Sequence, residues 1–524
     1  MAAKSLKSML AHLDAGELVL PEIQRDFVWN RRNVLLLFDS LYRDLPIGSM
    51  LVWKAKTAVP KRQKGKLNQD ILGSFYGYLL DGQQRLTAVQ RVRDRHDKYP
   101  LLFSLRTQHE ERPDSNRFSY ATRKTARDPW YTHVADVISK DFSPYFVVER
   151  LKELDEIHTD EEINATLGAL IKLQNIMNYP VSIIEYDQDD YRRATELFIR
   201  FNSTGKKISG TDLASAELAL QVQNLVSEKI RPTTAKYVQF RFTMPFMIQC
   251  LAAVHTGKMD FRNPQDIWDG SDEKVIKASW RRTAKGVGRV VEFLTGTVKW
   301  NSDRWIPSSN AIVPLIYLLS DDKFDSEERS LARKWLLLAC VHGLFSKSAH
   351  SKVDNILRRL RWGSEEPSVD KLWRISRKEL PKLAVKHFET RRKSGAVMSL
   401  FISILRNKNA KDWKYQTPLD GNVIGHNAEL QVHHFFPQAL LRKFDVPTDM
   451  INTFANYTIL NKETNLDISD EEPIDYVKRH GIKKKDLRVQ CIPENRDLWR
   501  VERYKDFLAE RKRLLTKRTN AFFA

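Results

Sequence analysis

The sequence predicts an α/β N-terminal domain, a mainly helical middle region and an α+β C-terminal domain. Its 524 residues suffice for about three domains, and a hydrophobic content of 42% is enough to build packed cores. Strand patterns are frequent up to about residue 226, fade between 227 and 390, and return after 391. We therefore predict domains at 1–226, 227–390 and 391–524.

The elements of the first predicted domain follow from short apolar runs, which indicate strands, and from amphipathic runs, which indicate helices. The predicted strands are 18–21, 47–53, 76–80 and 181–186. The predicted helices are 34–42, which ends before Pro46, then 191–201 and 213–226. Such a mixture of the two element types is typical of an α/β domain.

The later regions are dominated by helical patterns. In the middle region the predicted helices are 333–341, 353–360 and 372–380. In the C-terminal region we predict a helix at 397–405, a strand at 430–437 and a basic helix at 499–515. The apolar run 311–319 contains Pro314 and is too short to span a bilayer, so we expect no membrane partner.

The charge balance favours a polyanionic partner. The chain has 86 Lys and Arg against 66 Asp and Glu, a formal net charge of +20. Such an excess most often accompanies nucleic-acid binding, although an ordinary basic surface is the alternative. Residues 476–518 alone carry fifteen basic and six acidic side chains, so nearly half of the excess lies in one C-terminal stretch.

The cysteines indicate the cellular compartment. Cys250, Cys340 and Cys491 are far apart in the sequence and form no CxxC pair. This spacing argues against a thiolate zinc site and against a disulfide framework. Asp14 and Glu17 interrupt any apolar segment of the kind that an export signal needs. We therefore expect a cytoplasmic protein.

The segment Asp-Gly-Gln-Gln-Arg at 81–85 is the first candidate site. An apolar strand leads into Asp81 and Gly82, and a helix follows, an arrangement that aims backbone N–H groups at an anion. Arg85 supplies a forked charge for a phosphate, and Gln83 and Gln84 can read a base, a sugar or a backbone. Asp81 can cap the helix or hold a magnesium-bound water. The alternative is a capped helix with a surface arginine.

Two further polar segments accompany it. Gln24 and Arg25 precede the aromatic residues of segment 21–29, and Asn202 and Thr204 lie in the glycine-bearing segment 201–209. Taken alone, the first can be an ordinary loop pinned by its aromatic residues. The second can be a capped loop between two helices.

The three segments together, QRDFVW, DGQQRLT and FNSTGKKIS in this order, resemble the N-terminal domain of GmrSD-type restriction proteins, which is related to the ParB/sulfiredoxin fold. The resemblance covers about residues 5–225. It implies that the domain binds and hydrolyses a nucleoside triphosphate at these segments and takes part in sensing DNA modification. Whether the nucleotide is GTP, ATP or CTP stays open.

The second candidate site contains adjacent histidines, His433 and His434, on a predicted strand that Pro437 stops. A histidine that ends a strand can serve as a general base, and a neighbouring nitrogen or oxygen ligand can help to hold a divalent ion. Asn456 and Asn465 follow, nine positions apart. A histidine pair alone is more often structural or solvated. The prediction of a catalytic site therefore depends largely on the two asparagines.

This pattern resembles the HNH, or ββα-metal, nuclease motif, in which (D/H)HxxP precedes two asparagines at that spacing. The resemblance implies that His434 is the general base and His433 and Asn465 the metal ligands. It implies that Asn456 fixes the loop between the strands, and Asn461 is a reserve ligand. Because imidazole stands where Asp is frequent, the expected metal is Mn, Ni or Zn rather than Mg, with Mg still open.

The region 391–524 resembles the C-terminal nuclease half of the same GmrSD-type proteins. Its basic side chains are expected to bind DNA phosphates without reading sequence; they are Lys483, Lys484, Lys485, Arg511, Lys512 and Arg513. The sequence thus predicts an NTP-regulated, modification-dependent DNA endonuclease of type IV character, acting on modified phage DNA. The alternatives are an RNA-cleaving, toxin-like nuclease and a non-catalytic, nucleotide-switched DNA-binding protein, and self-association stays open.

Overall fold

The structure, a computed structural model, describes most of the chain. The described residues are 2–21, 27–54, 76–96, 100–106, 117–139, 141–188, 193–194, 196–198, 200, 210–222, 224–259, 267–268, 270–392, 395–420, 430–468 and 470–524. The chain divides into two compact units, residues 1–229 and 230–524. Among the helices in these described ranges, none is long and apolar enough to cross a bilayer.

The first unit contains a five-stranded and a three-stranded sheet. Its strands are β1 (Ala2–Ser5), β2 (Leu18–Val19), β3 (Met50–Trp53), β4 (Gly77–Asp81), β5 (Leu101–Ser104), β6 (Phe118–Tyr120), β7 (Tyr131–His133) and β8 (Pro180–Tyr186). The larger sheet has the order β1-β8-β3-β4-β2, with β3 parallel to β8 and antiparallel to β4. The smaller sheet is antiparallel, in the order β6-β5-β7.

Helices surround these sheets and complete a mixed α/β unit. They are α1 (Leu6–Asp14), α2 (Arg31–Tyr42), α3 (Gln83–Arg93), α4 (Val134–Val137), α5 (Pro144–Glu153), α6 (Asp160–Asn175) and α7 (Gly210–Gln221). Helix α2 begins with a reciprocal capping box between Asn30 and Asn33, and it buries Val34, Leu37 and Phe38 in the core. The four predicted strands are present, whereas the predicted helix 191–201 lies partly outside the described residues.

The second unit begins with helices. They are α8 (Arg231–Lys236), α9 (Met244–Thr256), α10 (Glu273–Phe293), α11 (Val313–Leu319), α12 (Ser326–Val341), α13 (Ala349–Arg361), α14 (Val369–Ser376) and α15 (Ala396–Asn407). Helices α10 and α11 pack closely at Gly286, where a Cβ atom would lie 2.5 Å from the carbonyl oxygen of Ile316. The predicted helices at 333–341, 353–360 and 397–405 lie within α12, α13 and α15. The predicted 372–380 ends as a 3₁₀ turn, Arg377–Glu379.

The rest of the second unit contains a two-stranded antiparallel ladder and short helices. In chain order they are β9 (Leu430–His434), α16 (Gln438–Lys443), α17 (Thr448–Ile451), β10 (Tyr457–Asn461), α18 (Lys462–Ile468), α19 (Pro473–Arg479), α20 (Lys484–Val489) and α21 (Tyr504–Phe522). Phe435, Phe507 and Trp499 pack together beneath the ladder. The basic helix α21 begins five residues later than predicted, because Trp499 is held to the preceding loop by its indole N–H, which donates to Pro493 O at 2.9 Å.

Candidate functional site

The turn from β4 to α3 has the strand, glycine and helix order predicted from the sequence. Asp81 ends β4, Gly82 has φ 98°, and α3 begins at Gln83. A Cβ atom at Gly82 would lie 2.6 Å from Cγ of Met50. Both the backbone angle and the close approach therefore require glycine here. The turn presents the N-terminal end of an eleven-residue helix, where backbone N–H groups and the helix dipole favour an anion.

Arg85 holds this turn together. Its guanidinium donates to Ile47 O at 2.6 Å, to Ser49 O at 2.7 Å and to the Asp81 carboxylate at 2.8 Å. Burial lowers the pKa of Arg85, and the neighbouring Asp81 carboxylate opposes that shift. In this structure the guanidinium of Arg85 ties the segment before β3 to the end of β4, and its contact with a phosphate stays a prediction. Sequence reasoning missed this role because the carbonyl partners are 36 and 38 positions away.

The structure brings two of the three predicted segments together. Gln84 accepts a hydrogen bond from Val28 N at 2.9 Å, which links the start of α3 to the segment that follows Gln24 and Arg25. Gln83 is buried, with 3% of its surface exposed. Four residues of the predicted site lie outside the described residues: Gln24, Arg25, Asn202 and Thr204.

In the second unit, β9, β10 and α18 form a strand–strand–helix arrangement around the two histidines. His433 pairs with Thr458 and His434 with Tyr457 across the antiparallel ladder. Helix α18 begins directly after β10 and carries Asn465. The ladder and the following helix thus place residues that are far apart in sequence at the end of β9.

His433 and Asn465 are in direct contact. Nδ1 of His433 lies 2.6 Å from Oδ1 of Asn465, whose amide nitrogen donates to Gln431 Oε1 at 2.6 Å. Because that oxygen is an acceptor, Nδ1 carries the hydrogen of the imidazole, and the buried Nε2 has no hydrogen-bond partner. Burial lowers the pKa of His433 to about 4, with the positive charge of Arg511 adding to the shift. The ring is therefore neutral at pH 7, which is the form that binds metals.

These two side chains fit part of a divalent-metal site. With its hydrogen on Nδ1 the imidazole cannot bind an ion there, so coordination beside Asn465 Oδ1 would require the tautomer whose hydrogen lies on Nε2. In that form a ring nitrogen and an amide oxygen lie side by side as donors that first-row metals accept. Within the described part of the chain, no group of three or more His, Cys, Asp or Glu side chains is arranged to hold an ion. A catalytic ion keeps at least one coordination position for water or substrate. The reserve ligand Asn461 instead donates through its side-chain amide to Thr417 Oγ1.

His434 has different neighbours. Its Nε2 lies 3.1 Å from Asn452 Oδ1 and 2.9 Å from the amide nitrogen of Gln438, which also donates to Asn452. The ring packs edge-on against Tyr457. Since successive strand residues point to opposite faces, His433 contacts α18 while His434 contacts the α16 and α17 side. The predicted base is thus held in a fixed orientation by two amide side chains.

Asn456 fixes the backbone around both histidines. It is fully buried, accepts from Phe436 N at 2.9 Å, and donates to Phe436 O and Ile451 O at 3.1 and 3.2 Å. One side chain therefore joins the turn after β9 to the segment before β10. These contacts hold the loop between the two strands in place.

Asp412 is a residue that sequence reasoning missed. Its fully buried carboxylate accepts from Asn461 N at 2.8 Å, from Thr464 Oγ1 at 2.6 Å and from the backbone N–H groups of Lys414 and Tyr415. It therefore anchors the junction between β10 and α18, on which Asn465 depends. A lone Asp 49 positions before its partner Asn461 leaves no periodic signal that could have identified it.

The predicted phosphate-binding cations have different environments. Three lysines at the start of α20 are exposed: Lys483, Lys484 and Lys485. On α21, Arg513 is exposed and paired with Glu510 at 2.7 Å, and the partly buried Lys512 lies 3.7 Å from Glu389. These five side chains lie at or near the surface, where phosphates can reach them.

Arg511 is the exception, and its predicted role in DNA binding is corrected. The side chain is fully buried and donates to the backbone carbonyls of Ala455, Tyr457 and Gln490. Burial lowers the pKa of Arg511 to about 10, which still leaves it charged at pH 7. A guanidinium in this position stabilises β10 and cannot reach a phosphate in solution.

Comparison with protein families agrees with the geometry of the first unit. Residues 6–219, which include the β4–α3 turn, match the family model described as the N-terminal domain of the GmrSD restriction endonuclease. This part of the chain is therefore similar to a GmrSD N-terminal domain. The match connects the protein with a family of restriction endonucleases, and it ends before the second unit begins.

A relative extends over both units. The uncharacterized protein MJ0686 of Methanocaldococcus jannaschii is 23% identical, over 91% of this chain and 86% of the relative. The two units therefore occur together, in this order, in a second protein.

Proposed function

We propose that this protein is an NTP-regulated, modification-dependent DNA endonuclease of type IV restriction character, acting in the cytoplasm against phage DNA. Residues 391–524 form the HNH-type nuclease domain. Residues 1–226, with a ParB-like fold, bind and hydrolyse a nucleoside triphosphate and sense the modification, and the helical region 227–390 connects the two. The GmrSD N-terminal domain supports the restriction role of the whole chain.

The observation that carries the nuclease proposal is the contact between His433 and Asn465 on a strand–strand–helix scaffold. These residues are 32 positions apart in the sequence, and the β9–β10 ladder and α18 bring them together. Asn456 and Asp412 each use several buried hydrogen bonds to fix that scaffold. So many buried polar contacts around one neutral histidine favour a functional site over an ordinary packed hairpin.

The proposed chemistry divides between the two faces of β9. His433 and Asn465 hold a divalent cation, which when bound supplies Lewis-acid stabilisation of the charge on the phosphate. His434 accepts the proton of the attacking water while Gln438 and Asn452 hold its ring in place. The exposed lysines of α20 bind backbone phosphates on either side of the cut.

The nucleotide is proposed to bind at the start of α3. There the N-terminal end of the helix favours an anion, and Gln84 accepts a hydrogen bond from Val28, which follows Gln24 and Arg25 in the sequence. Arg85 contributes indirectly, since it holds the turn in place. GTP, ATP and CTP all carry the phosphates that this turn suits.

The metal pair is tested by Asn465→Ala. We expect the affinity for Mn²⁺, measured by isothermal titration calorimetry, to fall by at least about tenfold, because the amide oxygen beside His433 is lost. Leu466→Ala is the matched control, since Leu466 is the next residue of α18 and 67% exposed. An unchanged affinity in Asn465→Ala removes Asn465 from the metal site.

The role of Arg85 is tested by Arg85→Ala. This change leaves two backbone carbonyls and the Asp81 carboxylate without their donor, so we expect the free energy of unfolding to fall by about 3 kcal/mol. Gln84→Ala is the comparison: it should leave the free energy of unfolding nearly unchanged and weaken nucleotide binding. Chemical denaturation and a fluorescent-nucleotide titration measure the two effects. A stable Arg85→Ala protein that only loses nucleotide would restore Arg85 as a phosphate ligand.

The proposal as a whole is tested by cleavage assays on the full chain. Purified protein is incubated with modified phage DNA, the same DNA without the modification, and transfer RNA. Each substrate is combined with every nucleotide and divalent ion in turn. We expect cleavage of modified DNA only, dependent on a divalent ion and altered by one nucleotide.

Other outcomes identify the alternatives. Cleavage of transfer RNA with intact DNA would indicate the toxin-like nuclease. Nucleotide-dependent DNA binding without cleavage under any ion would indicate a non-catalytic switch.

A further inference from the structure

A groove of about 1100 Å³ runs along the exposed side of α21 in the second unit. One wall is a single stripe of the helix, whose lining residues recur every three or four positions from Asp506 to Phe522. The other wall is formed by residues 488–498, together with Lys408. At 1.5 Å per residue, the part of α21 from Asp506 to Phe522 gives this wall a length of roughly 25 Å.

The charge in this groove is positive. Three of its cations are paired with carboxylates: Arg488 with Glu494 at 2.7 Å, Arg503 with Asp506 at 2.6 Å, and Arg513 with Glu510 at 2.7 Å. Three further cations line it without a carboxylate partner in the described ranges, namely Lys408, Lys517 and Arg518. Arg518 donates only to the backbone oxygen of Arg488, at 3.3 Å. The groove therefore has an excess of three positive charges.

Apolar side chains lie between these charges. Ile492, Pro493, Leu498 and Leu514 are among the lining residues. A concave surface lined by cations and by apolar side chains suits a single nucleic-acid strand, whose phosphates contact the cations. An acidic protein segment would match the charge but would not need a continuous groove of this length.

Helix α21 also connects the groove to the β9–β10 ladder. On its buried side Arg511 donates to Tyr457 O, and Tyr457 pairs with His434 across the ladder. On its exposed side Arg513 and Lys517 line the groove. The same rigid helix thus contacts the strand beside the proposed base and lines a basic groove.

We infer that this groove binds one strand of nucleic acid through its phosphodiester backbone, an inference that rests on the proposed nuclease function. The strand passes Lys408, Lys517 and Arg518, which contact phosphates. The binding is independent of sequence, because the side chains involved carry charge and present no pattern that reads bases.

The test is binding of fluorescent single-stranded oligonucleotides to the full chain, in EDTA to prevent cleavage and over a range of salt concentrations. The groove variant carries Lys408→Ala, Lys517→Ala and Arg518→Ala. Each phosphate contact on a single strand contributes about 0.7 to the slope of log affinity against log salt, so we expect the slope to decrease by about 2. The matched control removes the same charge from exposed lysines of the middle region, by Lys323→Ala, Lys347→Ala and Lys378→Ala.

A second variant separates charge from packing. Lys408→Arg with Lys517→Arg keeps both charges, and we expect it to retain the wild-type slope. Equal slopes in the groove variant and the control would overturn the inference. So would a groove variant that loses thermal stability but binds normally, because Lys517 and Arg518 would then serve the C-terminal end of the α21 dipole. Binding of DNA and RNA oligonucleotides with the same sequence shows which of the two nucleic acids the groove prefers.

Failure of the nuclease proposal leaves a different signature. One outcome is that the wild type cuts nothing, although the groove variant has a smaller slope of log affinity against log salt than the wild type. That result would support the groove inference and contradict the assignment of the catalytic residues. The other outcome is that the wild type cuts DNA, His434→Ala does not, and the groove variant keeps the wild-type salt slope. That result would support the nuclease proposal and contradict the groove inference.

Discussion

Substitution of His434 by alanine is expected to lower the rate of DNA cleavage by about 10²–10⁴-fold, because a positioned general base typically contributes that much. The fold should survive, since the ring makes contacts at one end of a ladder whose backbone is held by Asn456. Binding of metal should also persist, because His433 and Asn465 contact each other on the α18 side. The measurement is single-turnover cleavage with saturating protein, which isolates the chemical step from binding.

Two comparisons make this result specific. Gln438→Ala removes an amide that holds the His434 ring, so cleavage should slow by a smaller factor while the metal affinity stays at the wild-type value. His350→Ala alters an exposed histidine of the helical region and should change neither quantity. Undiminished cleavage by His434→Ala would show that the base is another group and that the HNH assignment is wrong.

The parts of the site that sequence could predict are those encoded in short segments. The order strand, glycine, helix at Asp81 and Gly82 is local, and the structure has it. The contact between His433 and Asn465 followed from motif spacing rather than from periodicity. The turn depends on few residues whose backbone geometry is set by near neighbours. The contact between His433 and Asn465 spans 32 positions, so only the resemblance to a known motif could predict it.

The contacts that sequence patterns could not predict share one cause. An arginine in a basic or glycine-bearing segment usually reaches solvent, which favours a phosphate partner for both Arg85 and Arg511. In the structure both donate to backbone carbonyls from distant segments, Arg85 also to the nearby Asp81 carboxylate, and a carbonyl oxygen has no signature in the sequence. Asp412 was missed for the same reason, since two of its partners are backbone N–H groups in its own turn and a third is Asn461 N.

The three-stranded sheet also could not be predicted from sequence patterns. Strands β5, β6 and β7 are three or four residues long, and a segment of that length cannot display an alternation. Their register depends on pairing, such as Phe103 with Phe118 and Thr132, which only the folded chain supplies. The longer α12, which contains the predicted helix 333–341, has an apolar face that persists over several turns.

Replacement of Arg511 by leucine is expected to cause the largest loss of stability in the second unit, roughly 3–5 kcal/mol of unfolding free energy. Leucine fills part of the volume but donates nothing, so the carbonyls of Ala455, Tyr457 and Gln490 all lose their hydrogen-bond donor in a site without water access. Arg511→Lys should recover only part of the loss, since one ammonium group cannot reproduce the forked geometry of a guanidinium. Chemical denaturation followed by circular dichroism measures both variants.

A comparison with Arg513 shows whether the effect of replacing Arg511 comes from its burial or from its charge. Arg513 lies two positions further along α21, is exposed, and is paired only with Glu510, so Arg513→Leu should leave the unfolding free energy near the wild-type value. Both substitutions remove one positive charge, and a role in phosphate binding would make their effects on DNA affinity alike. We expect them instead to separate, with Arg511→Leu changing stability and Arg513→Leu changing the salt dependence of DNA binding. A stable Arg511→Leu protein with weakened DNA binding would return Arg511 to the set of phosphate ligands, because its three carbonyl contacts would then be dispensable.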